Sequence, residues 1–370
     1  MIYALFMILA IVLALLVRPP IGAPSLGQAD PAAARNAQRR RRIYCALLGI
    51  CLFLISALRA STVGSDTRTY LGHFQRIHLM NWETILYLYQ EEPGFYIVAK
   101  LLSLWTYDGQ WMLALYSLLY AFSVSWYIYR NSADCLISFS MLIPFMFFAF
   151  SMTGLRQTAA ISIVLLSFEF VRTRKALPYF LLMLLAIAFH RSAILALPIY
   201  YLYSIRMTPF KRLVLLLLIP AIYLFRYNII TLLQRWFYSD YQIDRSTNNT
   251  WATFAVYFLI WAAKLYLLAI AGRAAPHVAQ CGPGRQVEAI FIIGFIIQLF
   301  VPFEPNIFRI GLYYQSSVLL LVPQITSESR LSLRSRRLIR IAYIAVMFLM
   351  YYGFTYQAAE VNPYRFFWQG

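Results

Sequence analysis

The chain of 370 residues is 61% hydrophobic and only 12% charged, with a mean hydropathy of +0.64, whereas an ordinary soluble domain carries about 25% charged residues. Its net charge of +18, from 32 Lys and Arg against 14 Asp and Glu, is scattered in short clusters between apolar runs; this argues against a nucleic-acid partner and matches the basic excess of cytoplasmic loops in membrane proteins. Period-two alternation is absent, so a β-barrel is not expected. The composition predicts an all-α polytopic membrane protein, because in lipid each segment must satisfy its own backbone hydrogen bonds.

The opening run, residues 2–17, lacks a basic n-region and is followed by "RPP" rather than a small-residue cleavage site, so it is expected to be a retained span. Residues 18–42, rich in Pro, Ala and Arg and ending in "ARNAQRRRR", are expected to form a flexible basic cytoplasmic loop. A second span at 43–60 leads into an extracytoplasmic segment, 59–110, with a short interfacial helix at 93–105. That helix is read as non-spanning, since a crossing there would put "RTRK" (172–175) outside.

Further spans are expected at 110–129, 135–152, 156–172, 177–191, 192–205 and 211–226, an extracytoplasmic loop at 227–251, and spans at 252–271, 287–303, 307–323 and 338–356. With the first two, that makes about twelve transmembrane helices in a single integral membrane domain without an internal repeat. The basic clusters at 34–42, 172–175, 206–212, 282–285 and 330–337 then all lie in the cytoplasm and both termini outside.

The polar groups left on the outer side each call for a reason. Arg156 and Gln157, in "TGLRQ", open a helix after Gly154, which suits a tight turn. A helix N-terminus favours anions and a guanidinium beside it completes a phosphate site; the plainer alternative is an arginine snorkelling to headgroups. His190 and Arg191, in "AFHRSA", form a turn with no polar spacer, suited to a phosphate or a sugar hydroxyl or simply to an interfacial hydrogen-bonded pair.

Arg309, in "FEPNIFRIGLYY", starts the eleventh span with Tyr313 one turn on, a pair able to grip phosphate and stack on sugar, or to form part of an aromatic belt. Asp66, Arg68 and Tyr70, in "GSDTRTYLGHF", and Glu91 and Glu92, in "QEEPGF", supply candidate bases or orienters of the arginines, or the ordinary charges of a solvated loop. Lys264 and Gln298 lie inside spans and are expected to hydrogen-bond between helices. Cys45, Cys51, Cys135 and Cys281 have no metal-ligand spacing, so neither a metal site nor a disulfide framework is expected.

The segments "GSDTRTY", "EEPGF", "GLRQTAAISI", "AFHRSAILALPIY" and "FRIGLYYQ", in this order across roughly residues 43–325, resemble the EpsG family of bacterial exopolysaccharide proteins, which is similar to the Wzy polymerases. The resemblance implies a GT-C/Wzy-like helical fold in the bacterial inner membrane. It also implies polymerisation of undecaprenyl-diphosphate-linked oligosaccharide units on the outer face, and allows for a chain-length regulator and a flippase as partners. Matching the motifs singles out Asp66, Tyr70, Glu92, Gly94, Arg156, Gln157, His190 and Arg309.

A sugar on a polyprenyl diphosphate carries its own leaving group. The enzyme must stabilise the departing diphosphate, a task for Arg156 with Arg309 and Arg191, and deprotonate the attacking hydroxyl, with Asp66 or Glu92 as base and His190 as competitor. No cofactor or divalent ion is expected. A GT-C-type transferase, an O-antigen ligase and a lipid-linked oligosaccharide flippase are the alternatives.

Overall fold

The computed structural model describes residues 2–21, 31–237, 255–256, 258–263, 287–304, 306–327, 332–356 and 360–369. Regular structure among them is helical. β-like pairing is confined to one bridge, Arg59 to Phe366, where Ala60 N–H donates to Arg365 O and Phe367 N–H to Leu58 O.

The bundle is organised around α6, Gln110–Asn131, whose 22 predominantly apolar residues rise about 33 Å, enough for a hydrocarbon core of about 30 Å; only its polar exceptions, such as Arg130 and Asn131 at its end, interrupt that run. It packs against α2, Pro31–Ala57, and α9, Leu155–Arg172; α9 in turn packs on α10, Ala176–Phe189. The α2–α6 approach depends on small residues, since a Cβ on Gly49 would stand 2.6 Å from Ser125 Oγ. α1, Ile2–Val17, lies against α2.

Several expectations need correction. The loop expected at 18–42 is helical from Pro31 onward, continuous with the span of α2. Arg41 explains this: its Nε donates to Tyr129 O at 2.8 Å and its Nη2 to Ile128 O at 3.2 Å and to Ser132 O. Those carbonyls belong to the C-terminal end of α6, where helical partners run out.

The span expected at 135–152 is broken into α7, Cys135–Met141, and α8, Phe147–Thr153, with Met146 left-handed at φ 61°. Residues 132–155 are buried apart from Met146, so this segment is core rather than lipid-facing. Its turn N–H groups find local carbonyls, as in Met146 N–H to Ile143 O and Phe148 N–H to Leu142 O, both 3.0 Å. Irregular backbone at membrane depth is tolerated under that condition.

The span expected at 192–205 is likewise not one helix but a 3-10 segment, Arg191–Ala196, followed by α11, Ile199–Leu202. It returns alongside α10, where Tyr179 Oη donates to Ala196 O at 3.0 Å and Leu197 O at 3.2 Å. The segment before α6 holds α3, Thr67–Leu79, α4, Trp82–Leu88, and α5, Pro93–Ser103. α5 fits the expected short helix; its 11 residues rise only about 16 Å.

Beyond α11 come α12, Pro209–Leu224, and α13, Arg226–Phe237, so the loop expected at 227–251 begins as helix and its remainder lies outside the described residues. So do Lys264, Cys281, the cluster at 282–285 and most of the span expected at 252–271. α14, Glu288–Gln298, and α15, Ile307–Gln315, form a hairpin, followed by α16, Val318–Ser327, and α17, Leu333–Met350. The span expected at 307–323 is thus interrupted after Gln315. Gln298 is buried, but neither atom of its amide meets a hydrogen-bond partner among the described residues, contrary to the interhelical bond expected of it. Among the described residues α6 is the one unbroken helix long and apolar enough for a full crossing; α12 with the start of α13 passes the same test only as a pair bent by 75°.

Candidate active site

Glu92 occupies the N-cap position of α5 but does not cap its own helix. Pro93 starts the helix and Gly94 follows, and a Cβ on Gly94 would lie 2.9 Å from Ala188 O and 3.1 Å from the Phe189 ring. Glycine therefore lets the start of α5 sit on the end of α10, which is where the chain turns through His190.

The contact gives the Glu92 carboxylate three partners from distant parts of the sequence. Its Oε2 accepts from Arg156 Nη1 at 2.8 Å. Its Oε1 accepts the Arg191 backbone N–H at 3.1 Å and stands 2.7 Å from His190 Nδ1. The His190 contact is close enough for an ion pair but is not aligned as a hydrogen bond. The Glu92 side chain is 10% exposed, His190 18% and Arg156 37%, so the carboxylate is enclosed while the guanidinium reaches the surface.

Burial alone would raise the Glu92 pKa. The approach and charge of His190, the charge of Arg156 and the Arg191 N–H outweigh it and hold the carboxyl below its ordinary value. Tyr70, on α3, is buried beside Arg156, and burial pushes its hydroxyl pKa up against the opposing pull of that charge. Arg191 reaches the other way, its Nη1 lying 2.8 Å from Glu91 Oε2 in a solvent-exposed pair that adds little stability.

The third helix entrance joins through backbone and buried hydroxyls. Gln157 Nε2 donates to Arg309 O at 2.7 Å; Tyr313 Oη and Ser192 Oγ share a hydrogen bond of 3.1 Å, and Tyr314 Oη donates to Leu195 O. The start of α15 is thereby fastened to α9 and to the turn after His190. Tyr313 is fully buried and acts as a brace in that joint. The Arg309 side chain is half-buried and has no ion-pair partner among the described residues.

The structure gathers Glu92, Arg156, His190, Arg191, Gln157 and Tyr70, and leaves two candidates at the margin. Asp66 is half-exposed at the N-cap of α3 with no side-chain capping bond, and it acts on Tyr70 through charge alone. Arg68 is exposed.

Sequence reasoning missed the aromatic surround. Tyr96, one helical turn beyond Glu92, stacks on Tyr89 with ring centroids 3.5 Å apart, and the His73 ring lies 6.4 Å from that of Tyr96. Burial, then the charges of Arg76 and Arg156, hold the His73 pKa below the usual histidine value. The i, i+4 spacing of Glu92 and Tyr96 and the i, i+3 spacing of Tyr70 and His73 were the available signal.

It missed Arg59 as well, a fully buried guanidinium that donates to Ser56 Oγ at 3.1 Å and Met152 O at 3.3 Å. Met152 O also receives Thr67 Oγ1 at 3.2 Å, and a Cβ on Gly64, whose φ is +92°, would come within 2.5 Å of it. That carbonyl therefore fixes the loop from which α3 and Tyr70 start. Among the described residues no group of His, Cys, Asp and Glu is arranged to hold a metal ion.

The model of the EpsG family matches residues 42–366, most of the chain. No curated protein and no solved structure matches it.

Proposed function

This chain belongs to the EpsG family, and on that premise we propose that it is a glycosyltransferase joining undecaprenyl-diphosphate-linked oligosaccharide repeat units. Membership makes it an exopolysaccharide-related, polymerase-like membrane protein; the reaction, the lipid carrier and the inner membrane of a bacterium are the finer reading. The observation that carries it is the Glu92 carboxylate held between Arg156 and His190 at the paired ends of α9 and α10.

In this reading an acceptor sugar hydroxyl attacks the anomeric carbon of the donor. The new glycosidic C–O bond forms as the bond from that carbon to the diphosphate oxygen breaks, and the electron pair leaves with undecaprenyl diphosphate. Arg156, near the N-terminus of α9, receives the developing negative charge, with Arg191 and Arg309 flanking it. Guanidinium suits this role because it stays charged and presents several donors in one plane.

Glu92 is a poor base, since both its oxygens are engaged and its pKa is depressed. It is better suited to hold His190 in place by the 2.7 Å contact at Nδ1, so that Nε2 of the neutral imidazole can take the hydroxyl proton. Asp66 is the rival base. We place this end of the bundle at the periplasm or cell exterior and the arginine-rich opposite end in the cytoplasm, following the positive-inside rule. A chain-length regulator and a flippase are the partners this placement calls for.

A transporter reading draws on the break between α7 and α8, because discontinuous helices form transporter binding sites. Leu142, Ile143, Pro144, Phe145 and Met146 make up that break, and it offers no charged side chain to a substrate. The enzyme is favoured.

The test is full-length protein in liposomes given undecaprenyl-diphosphate oligosaccharide, with products resolved by length. Wild type should yield a ladder, with a chelator present or absent, and Arg156→Ala and His190→Gln should not, whereas Asp66→Asn should retain it. Labelled lipid that changes leaflet without forming a ladder would overturn the enzyme reading in favour of transport.

A further inference from the structure

One cavity among the described residues lies away from Glu92. It measures about 560 Å³ and is walled by Ala14, Leu15 and Ile21 on one side and by Asp134, Arg336, Arg337 and Arg340 on another, with Arg18 and Pro19 between. Four arginines against one aspartate leave its lining at a net charge of 4 − 1 = +3.

The single carboxylate does not oppose an anion there. Asp134 is buried, with Oδ1 accepting Arg340 Nη2 at 3.0 Å and Leu136 N–H at 3.1 Å, and Oδ2 lying 2.8 Å from Arg340 Nε. It spends its charge holding the Arg340 guanidinium in the cavity wall. Arg336 and Arg337 lie in the first turns of α17, where the helix dipole adds to their field. Arg18 ends α1 in the left-handed region at φ 51° and its Nε reaches Leu15 O at 3.4 Å, so it also serves the end of its own helix.

The apolar wall continues to the outside of the bundle. Leu15 is 69% exposed and Leu16 73%, on a helix that faces lipid in a membrane protein. A pocket with a cationic floor and an apolar flank open to the bilayer matches an amphiphile whose head is a phosphate and whose tail is acyl chain. The geometry points to a binding site for the phosphate head of an anionic phospholipid between the end of α1 and the start of α17. Bound there, the lipid would tie the two terminal helices together.

Native mass spectrometry of the full-length protein in neutral detergent, titrated with phosphatidylglycerol, tests this. The comparators are phosphatidylcholine and inorganic phosphate, and the variants Arg337→Gln, the pair Arg336→Gln with Arg337→Gln, and Arg39→Gln, an exposed arginine of α2.

Phosphatidylglycerol should bind wild type in preference to phosphatidylcholine, weaken about fivefold on loss of one pocket arginine and roughly 25-fold on loss of both, and bind Arg39→Gln unchanged. Equal weakening in Arg39→Gln would overturn the site in favour of general attraction to a basic surface. Displacement of the lipid by millimolar inorganic phosphate would overturn the lipid assignment and make the ligand a soluble phosphate. Arg337 is exposed, so its single variant keeps the test decisive if the double variant misfolds.

Discussion

The two ends of the bundle use arginine differently. Around the C-terminal end of α6 the protein satisfies its own cations: Arg41 takes carbonyls of residues 128, 129 and 132, Arg130 and Arg172 share Glu169, Arg340 pairs with Asp134, and Arg212 forks onto a fully buried Glu288 at 2.8 and 2.9 Å. Around Glu92 one carboxylate serves Arg156 and His190 together, and the Arg156 side chain stays 37% exposed. The first arrangement joins helix ends; the second brings Arg156 of α9 and the turn after α10 to one carboxylate of α5, the convergence that the proposed diphosphate contact would use. The cavity beside α1 lies at the first of these ends, and its four arginines against one aspartate give it a net positive lining.

The contrast is broken most directly by Arg340→Ala. It strands the Asp134 carboxylate in the interior and should destabilise the protein by about 3–5 kcal/mol, read as a lowered Tm in detergent, with the specific activity of the remaining folded protein unchanged. An intact Tm would show that the saturated end is not structural.

Arg156→Ala is the converse and should cut polymerisation about 10²–10³-fold while moving Tm by little. Arg156→Lys keeps the charge but not the planar fork, and full activity in that variant would count against guanidinium recognition.

Gly94→Ala sharpens the comparison from the backbone. Its Cβ would press on Ala188 O and part Glu92 from His190, so a loss of activity of about tenfold to a hundredfold is expected, whereas Gly72→Ala, with open space around its Cβ, should be neutral.

The smallest effect is on pH. The depressed Glu92 pKa contributes stability that is fully present above the ordinary carboxylate value of 4.5 and is lost as pH falls from there through the lower folded value. Melting curves of wild type should therefore decline below that pH more steeply than those of Glu92→Gln.

Much of the site was legible in the sequence as separate pieces. Arg156, His190 and Arg309 stood out because each interrupts or opens an apolar run, and Gly94 and Glu92 sat together in a short motif. Their partnership was not legible: Glu92 meets Arg156 across 64 positions and Arg191 across 99. The expected phosphate-gripping role of Tyr313 stood on helical spacing, which places a residue on a face but not that face toward solvent; packing turned it to Ser192.

The breaks in 135–153 and 191–202 escaped for the same reason. Hydropathy reports how apolar a segment is. It does not report whether protein or lipid surrounds it, and only protein lets a helix break at depth.

By itself, then, the sequence determined the all-helical membrane class and the places where charge punctuates apolar runs. These follow from composition and from periodicity along neighbouring residues. The tertiary structure alone decided that Glu92, rather than Asp66, is the carboxylate at the centre, that Arg41 and Arg340 are spent on the fold, and that a cationic cavity opens beside α1. Each of those depends on which distant segments touch. In a buried site the partner of a charge determines both its pKa and its role.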